Sequence, residues 1–353
     1  MSGSPATAED RALTIRSHDA PPPGWDDLVR SRPESTFCHL SGWHDVIGGA
    51  LGHRMLWLDA VDGGGERVGA LPLARVRSRL LGDYLLSMPF LNYGGPVGEP
   101  AARRALAERA GSEAERLGVD LLELRNLHAL EGTELQRSDR KITVVLQLPE
   151  DPDLLWNDTF KSKLRSQVRR PIKEGMEPRF GADQLDAFYH VFARNMRDLG
   201  TPVLPRRFFE RIAERFPDEV RFAVVEWNHE PVAAGCGFRH GDDFELTWAS
   251  SLREYSRQAP NMLLYWSLMR QMIEEGAARF NFGRCTPGGG THRFKSQWGG
   301  EDWPLPWLQW SSTGTISPPD PDRPIFRLAT RVWSRLPVPV TNRLGPLLSR
   351  RLP

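Results

Sequence analysis

Cysteine is scarce in this 353-residue sequence, and the three that occur, Cys38, Cys236 and Cys285, share no CxxC spacing. An odd number of scattered cysteines argues against a disulfide framework or a cysteine zinc site, and it fits a reducing compartment. No window reaches the roughly 18 uninterrupted apolar residues of a membrane-spanning helix. The polar N-terminus also lacks the apolar core of a signal peptide. These absences predict a cytoplasmic protein.

An excess of charge of either sign is also missing, because 46 Lys and Arg residues face 45 Asp and Glu residues. A net charge of +1 gives no reason to expect a general nucleic-acid coat. Forty per cent hydrophobic residues are enough for a sizeable core, and a chain of this length predicts two domains.

Several motifs of common enzyme classes are absent. The segment "TPGGGTHRFKS" lacks the glycine directly before lysine that a P-loop needs, and no GxGxxG opens a helix after a strand. No HExxH or His/Asp/Glu cluster predicts a metal, and no GxSxG supplies a nucleophile. Cys285 is either a nucleophile or a small buried hydrophobe. We therefore expect no metal and no permanently bound cofactor, and direct transfer between two bound substrates.

A pattern of strand, turn, strand, strand, helix and strand occurs twice, over residues 55–126 and again over 220–284. Amphipathic helices are predicted over 101–117 and 260–275, each followed by a glycine suited to a C-terminal cap. The sequence thus predicts two copies of one α+β module.

The segment "PNMLLYWSLMRQMIEEGAARFNFGRCTPGGGTHRFKSQWGG" (260–300) resembles the FemAB-like branch of the GNAT acyltransferase superfamily. Its pattern is a Pro-started helix, a Phe-Asn-Phe-Gly strand, an aromatic–Lys pair and a Trp-Gly. Residues 69–96 resemble the subgroup associated with the exosortase/PEP-CTERM system. The resemblance covers about residues 30–345. It implies an α+β fold of two tandem GNAT-like modules, with mixed sheets flanked by helices and a cleft between them.

Four segments are predicted from these patterns. They are a flexible N-terminal arm (1–24), an N-terminal GNAT-like module (25–150), a C-terminal GNAT-like module carrying the transfer site (151–315) and a basic amphipathic tail (316–353).

The resemblance also implies a catalytic residue, because Lys295 falls on the lysine of the family's Phe-Lys pair. Attack of an amine on an ester builds negative charge on the carbonyl oxygen, and a lysine in a water-poor cleft stabilises that charge. Phe294 is expected to brace the lysine stem, and Gly288–Gly290 to provide a tight turn. We expect Lys295 to point into the cleft between the copies. The alternative is a lysine on the surface.

Further candidates for substrate binding surround this pair or lie on other elements. Arg293, His292 and Arg284 would hold a phosphate or carboxylate. Arg257 and Asn261 would bind an anion at a helix N-terminus, or Asn261 would cap that helix. Trp248, Tyr255 and Tyr93 would line a groove, or the first two belong to the core. The tryptophans of "WGGEDWPLPWLQW" (298–310) suit either sugar stacking or a buried closing strand.

Two basic segments suggest partners. Residues 161–173 carry Lys161, Lys163, Arg165, Arg169, Arg170 and Lys173, which form either a solvated helix or a landing surface for a phosphate-bearing substrate such as tRNA. The tail at 323–353 holds seven arginines and no acid. It is expected to pack on the first module, to contact an anionic surface of the inner membrane, or both.

These patterns together predict an acyl- or aminoacyltransferase acting on an envelope or exopolysaccharide precursor. The donor stays open between aminoacyl-tRNA, acyl-CoA and acyl carrier protein, although "REYSRQAPN" (253–261) lacks the glycines with which GNAT enzymes hold coenzyme A. The alternative is a non-catalytic GNAT-fold scaffold, in which the Phe294-Lys295 pair has little purpose.

Overall fold

The computed structural model describes residues 13–78, 82–314 and 324–352, which divide into two compact units. The first unit holds the described residues up to 139 together with 305–314, and the second holds 140–304 and 324–352. The units therefore change over near 139 and 304 instead of at the predicted 150 and 315. The reason is that the last strand of each sheet comes from a distant part of the chain. Residues 308–311 pair with 121–124 in the first unit, and residues 142–147 pair with 279–285 in the second.

The strands of the described residues are β1 (Thr14–His18), β2 (Arg54–Val61), β3 (Arg67–Ser78), β4 (Gly82–Leu86), β5 (Val97–Gly98), β6 (Leu121–Leu124), β7 (Gln136–Gln147), β8 (Glu177–Phe180), β9 (Val220–Trp227), β10 (Glu230–His240), β11 (Asp243–Ser251), β12 (Arg279–Cys285) and β13 (Glu301–Ser311). The helices are α1 (Trp25–Ser31), α2 (Pro100–Leu117), α3 (Pro152–Leu154), α4 (Ser162–Lys173), α5 (Leu185–Asp198), α6 (Arg206–Arg215), α7 (Pro260–Glu274), α8 (Gly290–Ser296), α9 (Pro324–Trp333) and α10 (Val338–Ser349).

The two units share one topology. In the first, β1-β2-β3-β4-β6-β13 lie side by side, and in the second the order is β8-β9-β10-β11-β12-β7. Each has antiparallel hairpins followed by a parallel pair, β4–β6 or β11–β12, joined across a helix, α2 or α7. Both helices carry proline in their first turn, and glycine with positive φ follows each. The predicted repeat and fold class are confirmed.

The predicted flexible arm (1–24) is wrong for its second half. Residues 14–18 form β1, an edge strand antiparallel to β2, and the His18 Nε2 atom lies 3.0 Å from Asp59 Oδ1. Ile15 also packs against the core of the first unit. The polar composition hid this strand, because an edge strand needs only one apolar face. Residues 1–12 lie outside the described residues.

The segment 153–175 is not one helix. It consists of α3, a wide turn over 155–159, a break at Phe160 and then α4. The Arg165 Nη1 atom stabilises the break, since it donates to the carbonyl oxygens of Trp156, Asn157 and Phe160 at 2.8–3.1 Å. Four apolar side chains of this segment are buried, at Leu155, Phe160, Leu164 and Val168.

The tail packs on the second unit, so the predicted packing on the first module is wrong. A Cβ atom built at Gly345 of α10 would lie 2.8 Å from Val203 Cγ1, and one built at Gly200 would lie 2.3 Å from Thr330 Cγ2 of α9. The Arg197 side chain of α5 donates to the Leu336 carbonyl. These close approaches depend on small residues, which the arginine pattern of the tail does not reveal. Within the described ranges, every helix is too short or too polar to cross a membrane.

Candidate active site

The parallel strands β11 and β12 stay paired for only three residues. Their register runs from Asp243↔Arg279 to Glu245↔Asn281, and beyond it β12 continues on β7 alone, with Cys285↔Ile142. The strands therefore separate at Glu245 and Asn281 and leave one side of β12 open. Parallel sheets commonly bind ligands where neighbouring strands part.

A bulge in β12 lies at this point. Gly283 has φ 73°, and its N–H donates to the Asn281 side-chain oxygen at 2.8 Å. The same oxygen accepts the Thr143 hydroxyl from β7 at 2.5 Å. The Asn-Phe-Gly sequence thus folds into a local turn in which only glycine adopts the left-handed conformation without strain. The turn sets the direction of the carbonyl groups of Gly283 and Arg284.

Lys295 on α8 is bound to those carbonyl groups. Its Nζ atom donates to the oxygens of Gly283 at 2.6 Å and Arg284 at 3.0 Å. The residue is only 5% exposed, and this burial lowers the pKa of the ammonium to about 8, while Cys285 and Glu245 act in the opposite direction. An ammonium has three N–H donors. Among the described residues, the third has no acceptor.

Aromatic rings fix the helix that carries this lysine. The Phe294 ring meets Tyr265 edge-on at 5.0 Å, and Trp298 packs against both rings. Tyr265 stacks on Phe282 of β12 at 5.8 Å, and burial raises the pKa of its hydroxyl. Phe294 therefore helps to hold α8 against the aromatic core of the second unit.

His292 holds the glycine turn. Its Nδ1 atom accepts the Gly288 N–H at 2.9 Å, and Nε2 lies 2.8 Å from the Asp302 carboxylate. Acceptance at Nδ1 puts the proton of the neutral ring on Nε2, which then donates to Asp302. Both ring nitrogens are thus engaged inside the protein. The geometry assigns His292 to the support of the turn before α8, where the sequence had suggested substrate contact.

The other polar candidates lie either beside Lys295 or at the start of α7. Arg284 and Arg293 flank the lysine, the first half-buried and the second exposed. Arg257 is exposed before α7, and its carbonyl oxygen accepts the Arg170 side chain at 2.8 Å. Asn261 is the second residue of α7, so the cap interpretation is wrong: the N-cap is Ala259, at φ 57°.

The aromatic candidates contact other aromatic rings. Trp248 meets Phe209 edge-on at 5.2 Å, and Tyr255 meets Trp227 edge-on at 5.7 Å. Tyr93 lies in the first unit, where it is 1% exposed and lines a small pocket together with His39 and Arg103. The tryptophans of 298–310 lie in or before the closing strand β13, with Trp298 and Trp307 buried. The packing thus favours the core interpretation for most of these rings.

Most backbone N–H groups of the loop before α7 donate hydrogen bonds to carbonyl oxygens of the same loop. The N–H groups of 255, 256, 258 and 259 donate to carbonyl oxygens within 252–256, and Met262 N donates to Ala259. Pro260 has no N–H to offer. A pyrophosphate loop needs several free amides that point to one place, and this loop leaves few.

Sequence reasoning missed two members of the site. Glu245 is buried on β11 at the end of the parallel register, and Thr143 reaches Asn281 from β7. Only the topology brings these residues next to the bulge, so no motif marks them. Cys285 is buried, and burial raises the pKa of its thiol, which supports the interpretation as a small hydrophobe and not as a nucleophile.

The sequence has relatives among known families. The profile of the acetyltransferase (GNAT) domain matches residues 160–296. A UDP-N-acetylmuramoylpentapeptide-lysine N(6)-alanyltransferase of Weissella viridescens is 26% identical over 136 residues. That match covers 36% of this chain and 40% of the relative, so it spans less than half of the relative's length.

Solved structures share the fold. FemX superposes with a TM-score of 0.62 at 14% identity, covering 89% of this chain and all of FemX. A tandem GNAT protein from the clavulanic acid biosynthesis pathway gives a TM-score of 0.50 at 13% identity, covering 87% of this chain and all of that protein. At these identities the likeness establishes the fold. The protein thus has a tandem GNAT fold, and the residues that match the acetyltransferase (GNAT) domain profile lie within its second unit.

Proposed function

We propose that this chain, which combines a GNAT acetyltransferase domain with a tandem GNAT fold, transfers an aminoacyl group to an amine of a cell-envelope precursor. The observation that carries the proposal is the Lys295 ammonium, buried, held by two carbonyl groups and left with one N–H donor. A buried cation with an unused donor suits an anion that exists only during a reaction.

The reaction needs no covalent enzyme intermediate. The acceptor nitrogen attacks the carbonyl carbon of the donor ester, and the carbonyl oxygen becomes an oxyanion. Lys295 donates its remaining N–H to that oxyanion. The C–O bond to the donor then breaks, the amide forms, and the proton lost by nitrogen ends on the departing oxygen. One good donor in such a site is worth about 3 kcal/mol of transition-state stabilisation.

The donor we favour is an aminoacyl-tRNA. Most backbone N–H groups of the loop at 253–261 are hydrogen-bonded within the loop, which disfavours acyl-CoA as the donor. The basic segment 161–173 offers a surface for a polyanion. Of its six cations, Arg165 and Arg170 bind carbonyl groups, and the Arg169 guanidinium lies 5.2 Å from the Trp156 ring. Lys161, Lys163 and Lys173 are exposed, and are available for phosphate groups.

The acceptor we favour is a peptide amine on a sugar-linked precursor, since the Weissella viridescens relative is named for a lysine N(6) acceptor of that kind. The resemblance to the exosortase-associated subgroup adds an exopolysaccharide precursor as the second acceptor to test. A non-catalytic scaffold is disfavoured, because burial of a lysine without a carboxylate hydrogen-bonded to it costs stability and gives a scaffold nothing.

The test is a transfer assay with labelled alanyl-tRNA, acetyl-CoA and an acyl carrier protein as donors, each with a UDP-linked muropeptide or an exopolysaccharide precursor. We expect transfer from the aminoacyl ester only. Lys295→Met should lower kcat roughly 10²- to 10³-fold with little change in KM. Arg211→Met is the control for loss of a positive charge alone, because Arg211 is an exposed cation of the same unit outside segment 161–173 and pairs with Glu214. A Lys295→Met variant with the wild-type kcat would remove this lysine from the mechanism.

A further inference from the structure

The tail helices show an inverted distribution of side chains. On α10 the residues that face the protein are Thr341, Gly345 and Ser349, which are small or polar. Its leucines at 344, 347 and 348 are 43–51% exposed. A helix packed on a soluble domain normally buries its large apolar side chains and exposes its polar ones. This helix does the reverse.

The helix α9 also exposes large apolar side chains. Leu328 and Val332, one turn apart, are 59% and 53% exposed, and Thr330 between them lies against Gly200. Over the described parts of the chain, nine large apolar residues are strongly exposed, and six of them lie between 328 and 348. Scattered single exposures are ordinary, but a concentration in two adjoining helices marks an interaction surface.

Arginines accompany these apolar residues. The described residues 327–352 hold six of them, at 327, 331, 335, 343, 350 and 351, and contain no Asp or Glu. All six are exposed, and within the described ranges none of them forms an ion pair. Arg327 and Arg331 lie one turn apart on α9 and so share one side of that helix, and Arg335 follows two residues after its end. The surface is therefore apolar and cationic together.

We infer that the tail surface, defined as the exposed apolar and arginine side chains of 327–352, docks on an anionic lipid surface. Arginine pairs with lipid phosphate groups, and the leucines enter the boundary between headgroups and acyl chains. The helices have 10 and 12 residues, or roughly 15–18 Å at 1.5 Å per residue. They are too short to cross about 30 Å of hydrocarbon, and they lie in its plane.

Two other binding partners, a second copy of this chain and a soluble polyanion, fit the tail surface less well. A second copy would bring the arginines of both tails together with no carboxylate from either tail to compensate. A soluble polyanion would satisfy the arginines and leave the leucines in water. An anionic lipid surface offers both phosphate groups and an apolar phase.

The test is flotation of the full-length protein with phosphatidylcholine vesicles, with and without phosphatidylglycerol. We expect binding to the anionic vesicles alone, weakened by salt. Leu347→Ser/Leu348→Ser should lower it roughly tenfold. The matched control is Leu154→Ser/Ile172→Ser, two apolar residues of the second unit with similar exposure, at 49% and 48%.

A second pair of variants tests the charge. Arg327→Gln/Arg331→Gln/Arg335→Gln should lose binding, whereas Lys161→Gln/Lys163→Gln/Lys173→Gln, with the same change in charge, should keep it. Thermal melting confirms that each variant is folded, and light scattering reports the oligomeric state. Failure of the wild-type protein to float overturns the inference. So does loss of binding in the lysine variant instead, a dimer that only the leucine variant dissociates, or arginine-dependent binding to polyphosphate with no effect of the leucines on flotation. None of these outcomes depends on the transferase assay.

Discussion

In the first unit the parallel pair β4–β6 ends at Leu86↔Glu123, and in the second the pair β11–β12 ends at Glu245↔Asn281. Both are the third pair of their register, so the two positions are equivalent. Two residues further along the second strand of each pair stand Arg125 and Gly283. The same place in the same topology therefore holds a long cation in one unit and no side chain in the other.

Arg125 is bound by a carboxylate as well as by carbonyl groups. Its guanidinium donates to Glu123 at 2.9 Å and to the carbonyl oxygens of Met88 and Leu91, and it lies 5.3 Å from the Trp307 ring. Glu123 in turn accepts Gln309 at 2.8 Å. In the second unit the glycine leaves room for a cation from α8, and Lys295 finds two carbonyl groups there. One unit fills the gap between its strands with an arginine paired to a carboxylate. The other fills it with a lysine hydrogen-bonded to two carbonyl groups and to no carboxylate among the described residues.

The largest effect expected from this contrast is on stability. Arg125→Met leaves the Glu123 carboxylate buried without its counter-ion, which costs about 3–5 kcal/mol. The double variant Arg125→Met/Glu123→Gln should regain at least half of the loss, because no buried charge remains. Urea unfolding of both variants measures this. If the single variant is as stable as the wild type, the ion pair is not what closes the first unit.

The next effect is the pH dependence of stability at Lys295. Its pKa is about 8 in the folded protein and 10.5 in the unfolded chain, so between these values the unfolded state binds more protons, and the free energy of unfolding rises with pH. Relative to Lys295→Met, the wild type should gain roughly 1–2 kcal/mol from pH 8 to 9.5, given about 1.4 kcal/mol per unit. Urea unfolding across this range measures the difference. A difference that stays flat with pH would mean that Lys295 keeps an ordinary pKa.

Local patterns made much of the fold predictable from the sequence. Proline at helix starts, glycine at helix ends and alternating strands located α2, α7 and the strands beside them. The motif also singled out Phe294 and Lys295. What it could not supply depends on register between distant segments: Thr143 and Glu245 reach the bulge only because β7 and β11 flank β12. The prediction also placed the tail on the wrong unit. The contacts of the tail depend on small residues such as Gly345, which its arginine pattern does not reveal.

The smallest expected effect is at Gly283, where the contrast between the units rests on a missing side chain. Gly283→Ala leaves the net charge unchanged but puts a Cβ on a residue at φ 73°, which costs about 1 kcal/mol. Relief of that strain would turn the two carbonyl groups away from Lys295 and lower kcat roughly tenfold, since a misplaced donor loses much of its value. Gly118→Ala is the control: its φ is 62°, a Cβ there meets nothing within 4 Å, and it lies in the first unit. Both variants should lose similar stability in urea unfolding, but only Gly283→Ala should lose activity. Equal kcat in the two would mean that the bulge shapes the strand and does not position the lysine.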